Sequence, residues 1–454
     1  MSEAGRLPNV VLINCDDLGW GDLACYGHPT HKTPNLDRMA REGTRFTDFY
    51  SASPLCSPSR GALLTGCYPR RIGFGSFNGQ GVLFPGDPIG LNPSEVTIAS
   101  ILKTRGYATR IIGKWHCGDQ PKFLPTRHGF DGYYGIPYSN DMGRQVGMPA
   151  WPPLPLMRDE KVIEEQPDQV SLTARYTEDA VRFMWKHADY PFFLYFAHMY
   201  VHLPIYVPQR FLRESENGPY GGAVAAIDWS IGVILSELRR LGIERDTLVM
   251  FTSDNGSRAD FGPSNGILRG VKGTTWEGGQ REPFLVWGPG RIPAGRVSDA
   301  MLSMIDLLPT IARLAGGEIP TDRTIDGCDC SGLFLDEEAS SPREEFYYYS
   351  RDTLCAVRHD RWKLHVNRNR ENVCELYDLT DDPGERTNLA ADRPRTVAHL
   401  QDRVRMMREE LGDEATGQTG RVRPIGRVPE GRALTTFDPG HPYYMAEYDL
   451  ADRG

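Results

Sequence analysis

The sequence predicts an α/β fold in which helices sandwich a large, mostly parallel sheet, followed by a small antiparallel β subdomain. Three observations carry this. Apolar runs of strand length alternate with amphipathic helical segments through the first three-quarters of the chain. Several of those runs end directly in ionisable residues. After Ala315 the texture changes to short, aromatic-rich runs separated by polar turns.

The elements follow in order. NVVLIN (9–14) is a buried strand. TPNLDRMAREG (33–43) is a helix with Thr33 as cap, Pro34 at its first position and Gly43 closing it. NPSEVTIASILKTRG (92–106) is a second helix, with Ile98, Ile101 and Leu102 on one face, leading into the strand YATRII (107–112). PFFLYFA (191–197) is another strand. AVAAIDWSIGVILSELRRLG (223–242) is a long helix, followed by the strand TLVMFTS (247–253). EEFYYYS, LCAVRHDRWKLHV and CELYDL make the antiparallel subdomain. These elements divide the chain into an α/β domain (1–339), the C-terminal sheet subdomain (340–412) and a tail (413–454), rich in Gly, Pro and Arg, that wraps or covers the α/β domain.

The 454 residues are 40% apolar and carry a formal net charge of −9. That charge argues against nucleic acid as a general partner. No stretch approaches the ~18 consecutive apolar residues of a membrane span, so no membrane association is expected. The N-terminus lacks a basic region followed by an apolar one. The chain as written is therefore expected in the cytoplasm, or in the periplasm or outside the cell if a signal was removed. Nine cysteines, an odd number with no C-x-x-C pair, indicate neither a disulfide framework nor a zinc knuckle.

Four predicted strands run into polar clusters: Asp16 and Asp17 after VVLIN, Lys114 and His116 after ATRII, His198 and His202 after FFLYFA, and Asp254 and Asn255 after LVMFTS. Ligands of open α/β sheets bind beyond the carboxyl ends of strands, so the four clusters predict one shared site. Alone, each has a bland reading: Asp-Asp as turn chemistry, Lys or His as a solvated strand end, SDNG as a turn. Asp16, Asp17, Asp254 and Asn255 offer only oxygen, which suits Ca²⁺, or Mg²⁺, rather than zinc. Three carboxylates and an amide around a dication leave about one negative charge, offset by Lys114 and Arg60. Lys272, in the glycine-rich GVKGTTWEGGQREP (270–283), can join them on an anionic tetrahedral group.

Cys56 stands in SPLCSPSRGALLTG. A thiol phosphatase loop needs Cys-x5-Arg, whereas Cys56 to Arg60 is Cys-x3-Arg. GYATRIIGKW has six residues between its glycines and fails the P-loop spacing. A buried structural cysteine remains possible on composition, but does not account for Pro58, Ser59 and Arg60 beside it. A helix should begin near Ser59 and turn its partial positive N-terminus toward residue 56.

C-x-P-S-R with GALLTG resembles the signature of the type I sulfatases, in the alkaline phosphatase superfamily. NVVLINCDDLGWGDLACYG, GKWHCGD, HLP, SDNG, KGTTWEGG with REP, and ELYDLTDDPGERTNLA match in order. The similarity runs to about residue 412, and GIPYSND (135–141) is nearest the arylsulfatase A branch. Cys117 departs from the leucine usual in G-K-W-H-L-G.

The resemblance implies an alkaline phosphatase-like fold and hydrolysis of a sulfate ester, arylsulfatase-type, on a sulfated carbohydrate or aryl sulfate. It implies that Cys56 is oxidised by a formylglycine-generating, sulfatase-maturing enzyme to Cα-formylglycine. One hydroxyl of the hydrate attacks sulfur, and the second loses a proton so that sulfate is expelled. Carried over by position, Asp16, Asp17, Asp254 and Asn255 hold Ca²⁺ with an oxygen of modified residue 56. Arg60 fixes the diol, and His116 takes the proton that drives elimination. Lys114 and Lys272 bind sulfate oxygens, His202 protonates the leaving alcohol, and Ser139 hydrogen-bonds the sulfate or residue 56. His198 either lines the pocket or is a satisfied strand-end residue. The nearest rival is a phosphate or phosphonate ester hydrolase using the same aldehyde; the more distant one is an inactive binding protein on this fold.

Overall fold

The computed structural model describes residues 7–145, 147–259, 262 and 264–443. The strands of the main sheet are β1 (Asn9–Cys15), β2 (Thr44–Tyr50), β3 (Ala108–Gly113), β4 (Gly132–Gly135), β5 (Pro155–Arg158), β6 (Lys161–Glu165), β7 (Phe192–Ala197), β8 (Thr247–Ser253), β9 (Arg281–Trp287), β10 (Arg296–Ser298) and β11 (Leu302–Ser303). They form one eleven-stranded sheet in the order β10-β2-β9-β8-β1-β7-β3-β4-β5-β6, with β11 beside β2. The centre, β8-β1-β7-β3, is parallel throughout. Antiparallel pairs occur where β9 joins β8 and β2, and at β4-β5-β6.

Period-2 alternation in β1 explains the layering. Val10 and Leu12 enter one core; Val11, Ile13 and Cys15 enter the other. The first face is covered by α2 (Cys56–Thr65), α3 (Ile98–Thr104) and α6 (Leu307–Leu314). The second is covered by α1 (Pro34–Glu42), α4 (Leu172–Lys186) and α5 (Gly218–Arg240). Leu307, Leu308 and Ile311 of α6 are each at most 1% exposed, and burying each such side chain stabilises by about 1.5–3 kcal/mol.

Several boundaries differ from the sequence reading. The second predicted helix starts at Ile98, not at 92, because Asn92 closes a turn. Its side chain accepts from Ser94 N–H and its carbonyl from Glu95 N–H, and Thr97 then caps the helix through a capping box with Ser100. Thr33 occupies the cap position, but its hydroxyl donates to Asp37 Oδ1 and accepts from Ala24 N–H rather than capping the helix backbone. The long helix begins five residues earlier than expected, with Pro219 in its first turn. That helix is also apolar enough by length and composition to cross a membrane; it is mostly buried and packs on α1 and α4.

The antiparallel sheet comprises β12 (Glu345–Ser350), β13 (Thr353–His359), β14 (Trp362–Arg368) and β15 (Glu371–Asp378), in that order, with α7 (Pro394–Leu411) across β13 and β14. Phe346, Tyr348, Leu354 and Val357 share a core with Phe46, Phe49 and Tyr50 of the main sheet. The tail runs back over the α/β body. Gly426–Arg427 pairs with Ile89–Gly90, Arg423 pairs with Glu95, and Thr435 donates to the Pro153 carbonyl. Tyr443 donates to Glu165, while Tyr444 lies outside the described residues.

Candidate active site

The parallel register of β8-β1-β7-β3 brings the four strand-end clusters together. Cys15 pairs with Ser253, and Gly113 pairs with Ala197. Asp254 N–H then donates to Cys15 O at 3.0 Å and Lys114 N–H to Ala197 O at 2.8 Å. Gly113 makes the second exit possible. Its φ is +106°, and a Cβ there would lie 1.8 Å from the Ala197 carbonyl oxygen, so only glycine fits.

Residue 56 is the first residue of α2, not a residue ahead of it. The helix starts at Cys56 because Leu55 is already extended and accepts the first helical hydrogen bond from Ser59 N–H. This gives the C-x-P-S-R spacing a geometric meaning, since residues 56 and 60 lie one turn apart on one helix face. Arg60 Nε and Nη2 both lie 2.8 Å from Asp254 Oδ2, Nη2 is 3.5 Å from Asp16 Oδ2, and Nη1 donates to Lys114 O at 2.9 Å. Ser59 Oγ donates to Asp254 O at 2.5 Å, and Ser57 Oγ accepts from Leu83 N–H at 3.1 Å.

The remaining cations sit on the remaining carboxylates. Lys114 Nζ donates to Asp16 Oδ2 and to Ser139 Oγ, the latter at 3.2 Å. Lys272 Nζ donates to Asp17 Oδ2 at 2.8 Å, and Asn255 Nδ2 to Asp17 Oδ1 at 2.8 Å. The offset is therefore closer than net-charge counting suggested, with at least one cation in contact with each carboxylate. Burial works to raise the Asp16 pKa, but Lys114, His202 and Arg60 outweigh it and hold it well below the usual carboxylate range. Burial, reinforced by the Asp16 charge, pushes Asp254 up to about 7.

Two buried oxygens, Asp16 Oδ1 and Asn255 Oδ1, have no hydrogen-bond partner among the described residues. Ligand atoms of Asp16, Asp17, Cys56 and His202 lie within 4.8 Å of one another. Unpartnered hard oxygens in a carboxylate-rich pocket are the donor set a divalent cation such as Ca²⁺ or Mg²⁺ takes, so these residues fit the metal.

His116 Nε2 donates to Leu83 O at 3.0 Å, which fixes the proton on Nε2. Its buried Nδ1 has no partner among the described residues. Burial, aided by Lys114 and Arg60, lowers its pKa well below the usual value and keeps the ring neutral. His202 Nδ1 donates to Leu203 O at 2.5 Å, leaving Nε2 3.8 Å from Asp17 Oδ2. Burial, then Lys272, lowers its pKa. His198 is buried against Phe196 with Nε2 unpartnered, and burial takes it down to about 3. Among the described residues that nitrogen has no hydrogen-bond partner, so nothing there supports the satisfied strand-end reading. Burial raises the Cys56 thiol far above its usual value despite Lys114 and Lys272. As encoded, Cys56 is a protonated thiol and a weak nucleophile.

Residues 8–317 match the family model described as Sulfatase, and residues 272–412 match the model described as N-sulphoglucosamine sulphohydrolase, C-terminal. The chain belongs to the sulfatase family. Human arylsulfatase A (Homo sapiens) is 41% identical over 430 residues, covering 85% of this sulfatase and 83% of that protein. N-acetylgalactosamine-6-sulfatase of Canis lupus familiaris is 44% identical over 380 residues, covering 80% and 72%. Among solved structures, Ps i-CgsB in complex with k-i-k-neocarrahexaose superposes with a TM-score of 0.78 at 28% identity, covering 88% of this chain and 93% of that one. The sulfatase is an enzyme that hydrolyses sulfuric esters, and its fold is alkaline phosphatase-like.

Sequence reasoning missed two parts of the sulfatase site. Leu83 links Ser57 to His116 through its own N–H and carbonyl; an apolar side chain gives no signal for a backbone role. The second part is the support of the Lys272 loop. Glu277 Oε1 accepts from Lys363 Nζ at 2.9 Å and Tyr348 OH at 2.8 Å, its Oε2 from Tyr50 OH at 2.6 Å. Lys363 Nζ also donates to Thr275 O at 2.9 Å and lies 3.0 Å from Glu385 Oε1. Glu385 Oε2 accepts from Glu277 N–H at 2.7 Å. The C-terminal sheet thus holds the loop that carries Lys272. The signal available was charged residues inside otherwise apolar strand patterns.

Proposed function

We propose that this sulfatase works with Cα-formylglycine at position 56 and a divalent cation, Ca²⁺ or alternatively Mg²⁺, held by Asp16, Asp17, Asp254, Asn255 and residue 56. The observation that carries the reading is two buried oxygens without a partner among the described residues: Asp16 Oδ1, in the cluster that includes Cys56, and Asn255 Oδ1, on the amide that donates to Asp17. The cation would polarise the sulfuryl oxygens, and the hydrated aldehyde would supply the attacking hydroxyl and a second hydroxyl through which sulfate departs.

The chain's own residues have separable tasks. Arg60 neutralises Asp254 and keeps the face of α2 that bears residue 56 directed at the strand ends. Asp16 and Asp17 would hold the dication, and Lys114 and Lys272, each now paired with one of these carboxylates, would then be available to bind sulfate oxygens. His116 Nδ1, neutral and unpartnered, accepts the proton of the departing step. His202, whose ring belongs to the cluster with Asp16, Asp17 and residue 56, handles the proton of the leaving alcohol. Ser139 steadies Lys114.

The substrate is an organic sulfate ester, either a sulfated carbohydrate or an aryl sulfate; a saccharide fits the relatives named above. The partner is a maturing enzyme that recognises C-x-P-S-R. All ten residues of α2 are buried, so that enzyme must act before the chain folds. The nine cysteines are unpaired, which suits a reducing compartment.

The test is the mass of the peptide containing residue 56, together with turnover of an aryl sulfate and the matching aryl phosphate. An aldehyde mass and a preference for sulfate are expected. Unmodified thiol in active enzyme, or a Cys56→Ala variant at full rate, overturns the mechanism. A preference for phosphate supports the phosphoryl reading instead.

A further inference from the structure

Beside the candidate catalytic residues lies a cavity of about 440 Å³ that the proposed mechanism does not use. One wall is Leu55 and Gly273, the immediate neighbours of Cys56 and Lys272, joined where Gly273 N–H donates to Pro54 O at 3.0 Å. The facing wall comes from the C-terminal sheet: Arg351 in the turn between β12 and β13, Asn367 near the end of β14, and Arg370 at the tip of the β14–β15 hairpin. Consecutive Cα atoms are about 3.8 Å apart, so the backbone lining this cavity is continuous with that of Cys56 and Lys272.

Its chemistry is specific. Asn367 is 1% exposed, and neither its Nδ2 nor its Oδ1 has a hydrogen-bond partner among the described residues. A buried amide left so is costly unless a ligand or water satisfies it, and its donor–acceptor pair matches a sugar hydroxyl. Arg351 and Arg370 are exposed, and no carboxylate pairs with either among the described residues. Arg351 donates to Gly79 O, at 3.0 Å. Among the described residues Glu414 is the one acidic side chain lining the cavity, so the two guanidiniums leave it cationic on a chain whose net charge is −9.

We propose that this cavity is a substrate subsite for the saccharide unit next to the sulfated one, and that it selects an anionic unit bearing a carboxylate or a second sulfate. Asn367 takes a ring hydroxyl. Arg351 and Arg370 take the anionic group, which a guanidinium binds through paired N–H donors. The proposal rests on the sulfatase reading and deepens it from sulfate esters in general to acidic oligosaccharides.

The experiment measures inhibition of para-nitrophenyl sulfate hydrolysis by positional isomers of sulfated uronyl disaccharides, each compared with its carboxyl-reduced counterpart. Wild-type enzyme is expected to bind at least one acidic member about tenfold tighter than its reduced partner. In an Arg351→Gly/Arg370→Gly double variant that ratio is expected to fall to near one. Glycine is the safe replacement because φ is +54° and +68° at these positions, where glycine is unstrained. Because the readout is a ratio, a uniform loss of activity cancels. No preference in any wild-type pair, or a preference surviving in the double variant, overturns the subsite. Failure to hydrolyse the aryl sulfate at all, with the aldehyde present, would instead sink the proposed mechanism.

Discussion

Replacing Lys363 with Met should loosen the active-site loop from a distance. Lys363 is fully buried, and its ammonium lies 2.9 Å from Glu277 Oε1 and 3.0 Å from Glu385 Oε1. Methionine keeps much of the volume but leaves two buried carboxylates facing each other. Removing one partner of a buried ion pair costs about 3–5 kcal/mol. An unfolding entropy of about 2.1 cal/mol/K per residue over 454 residues gives about 1 kcal/mol/K. Tm should therefore fall by about 3–5 °C if unfolding is cooperative. Lys363 also ties down Thr275 O, three residues from Lys272, so KM for sulfate esters should rise as the loop gains freedom. Burial works to raise the Glu277 pKa, but Lys363, Arg281 and Arg358 outweigh it and take it down to about 2. A depressed carboxylate contributes stability above its unfolded value and loses it as pH falls through the folded one. The Tm gap between wild type and variant should accordingly narrow below about pH 4. Adding Glu277→Gln to Lys363→Met should recover part of the loss. Calorimetry across pH with steady-state kinetics tests this. A Tm within 1 °C of wild type, or losses that simply add in the double variant, would refute the coupling.

Saturating Ca²⁺ at about a hundredfold its dissociation constant should stabilise the protein by about 2.7 kcal/mol, roughly 3 °C in Tm. Asn255→Ala should abolish that increment, and an unchanged calcium response would remove Asn255 from the metal site. His116→Gln should lower kcat by about 10²–10⁴ with little change in KM; a pure KM effect would show that His116 binds rather than transfers a proton. Gly113→Ala should fail to give cooperatively folding protein, because its Cβ would sit 1.8 Å from Ala197 O. A wild-type melting curve would contradict the packing.

Much of the site was legible in the chain because parallel strands align their carboxyl ends. Once β1, β3, β7 and β8 are recognised as strands, the residues after them must converge, and Asp16, Lys114, His202 and Asp254 do. Helix limits were less legible. Asn92 and Glu95 fall inside the segment expected to be helical, yet a turn and a pairing with Arg423 of the tail claim them. The start of α2 was also displaced, since nothing local to Ser59 reveals that Leu55 is extended.

The sequence by itself determined the α/β architecture, the four strand-end clusters and the placing of residues 56 and 60 in one short segment. All of these follow from period, spacing and residue chemistry within a dozen or so neighbours. Only the tertiary structure decided which cation rests on which carboxylate, that the Leu83 backbone sets the His116 tautomer, and that the C-terminal sheet holds the Lys272 loop and walls a cationic cavity. The Tyr348–Glu277 and Lys272–Asp17 contacts join residues 71 and 255 positions apart, and the Leu83 contact carries no side-chain signal. Each depends on a through-space distance of a few ångströms, which packing fixes and local pattern does not encode.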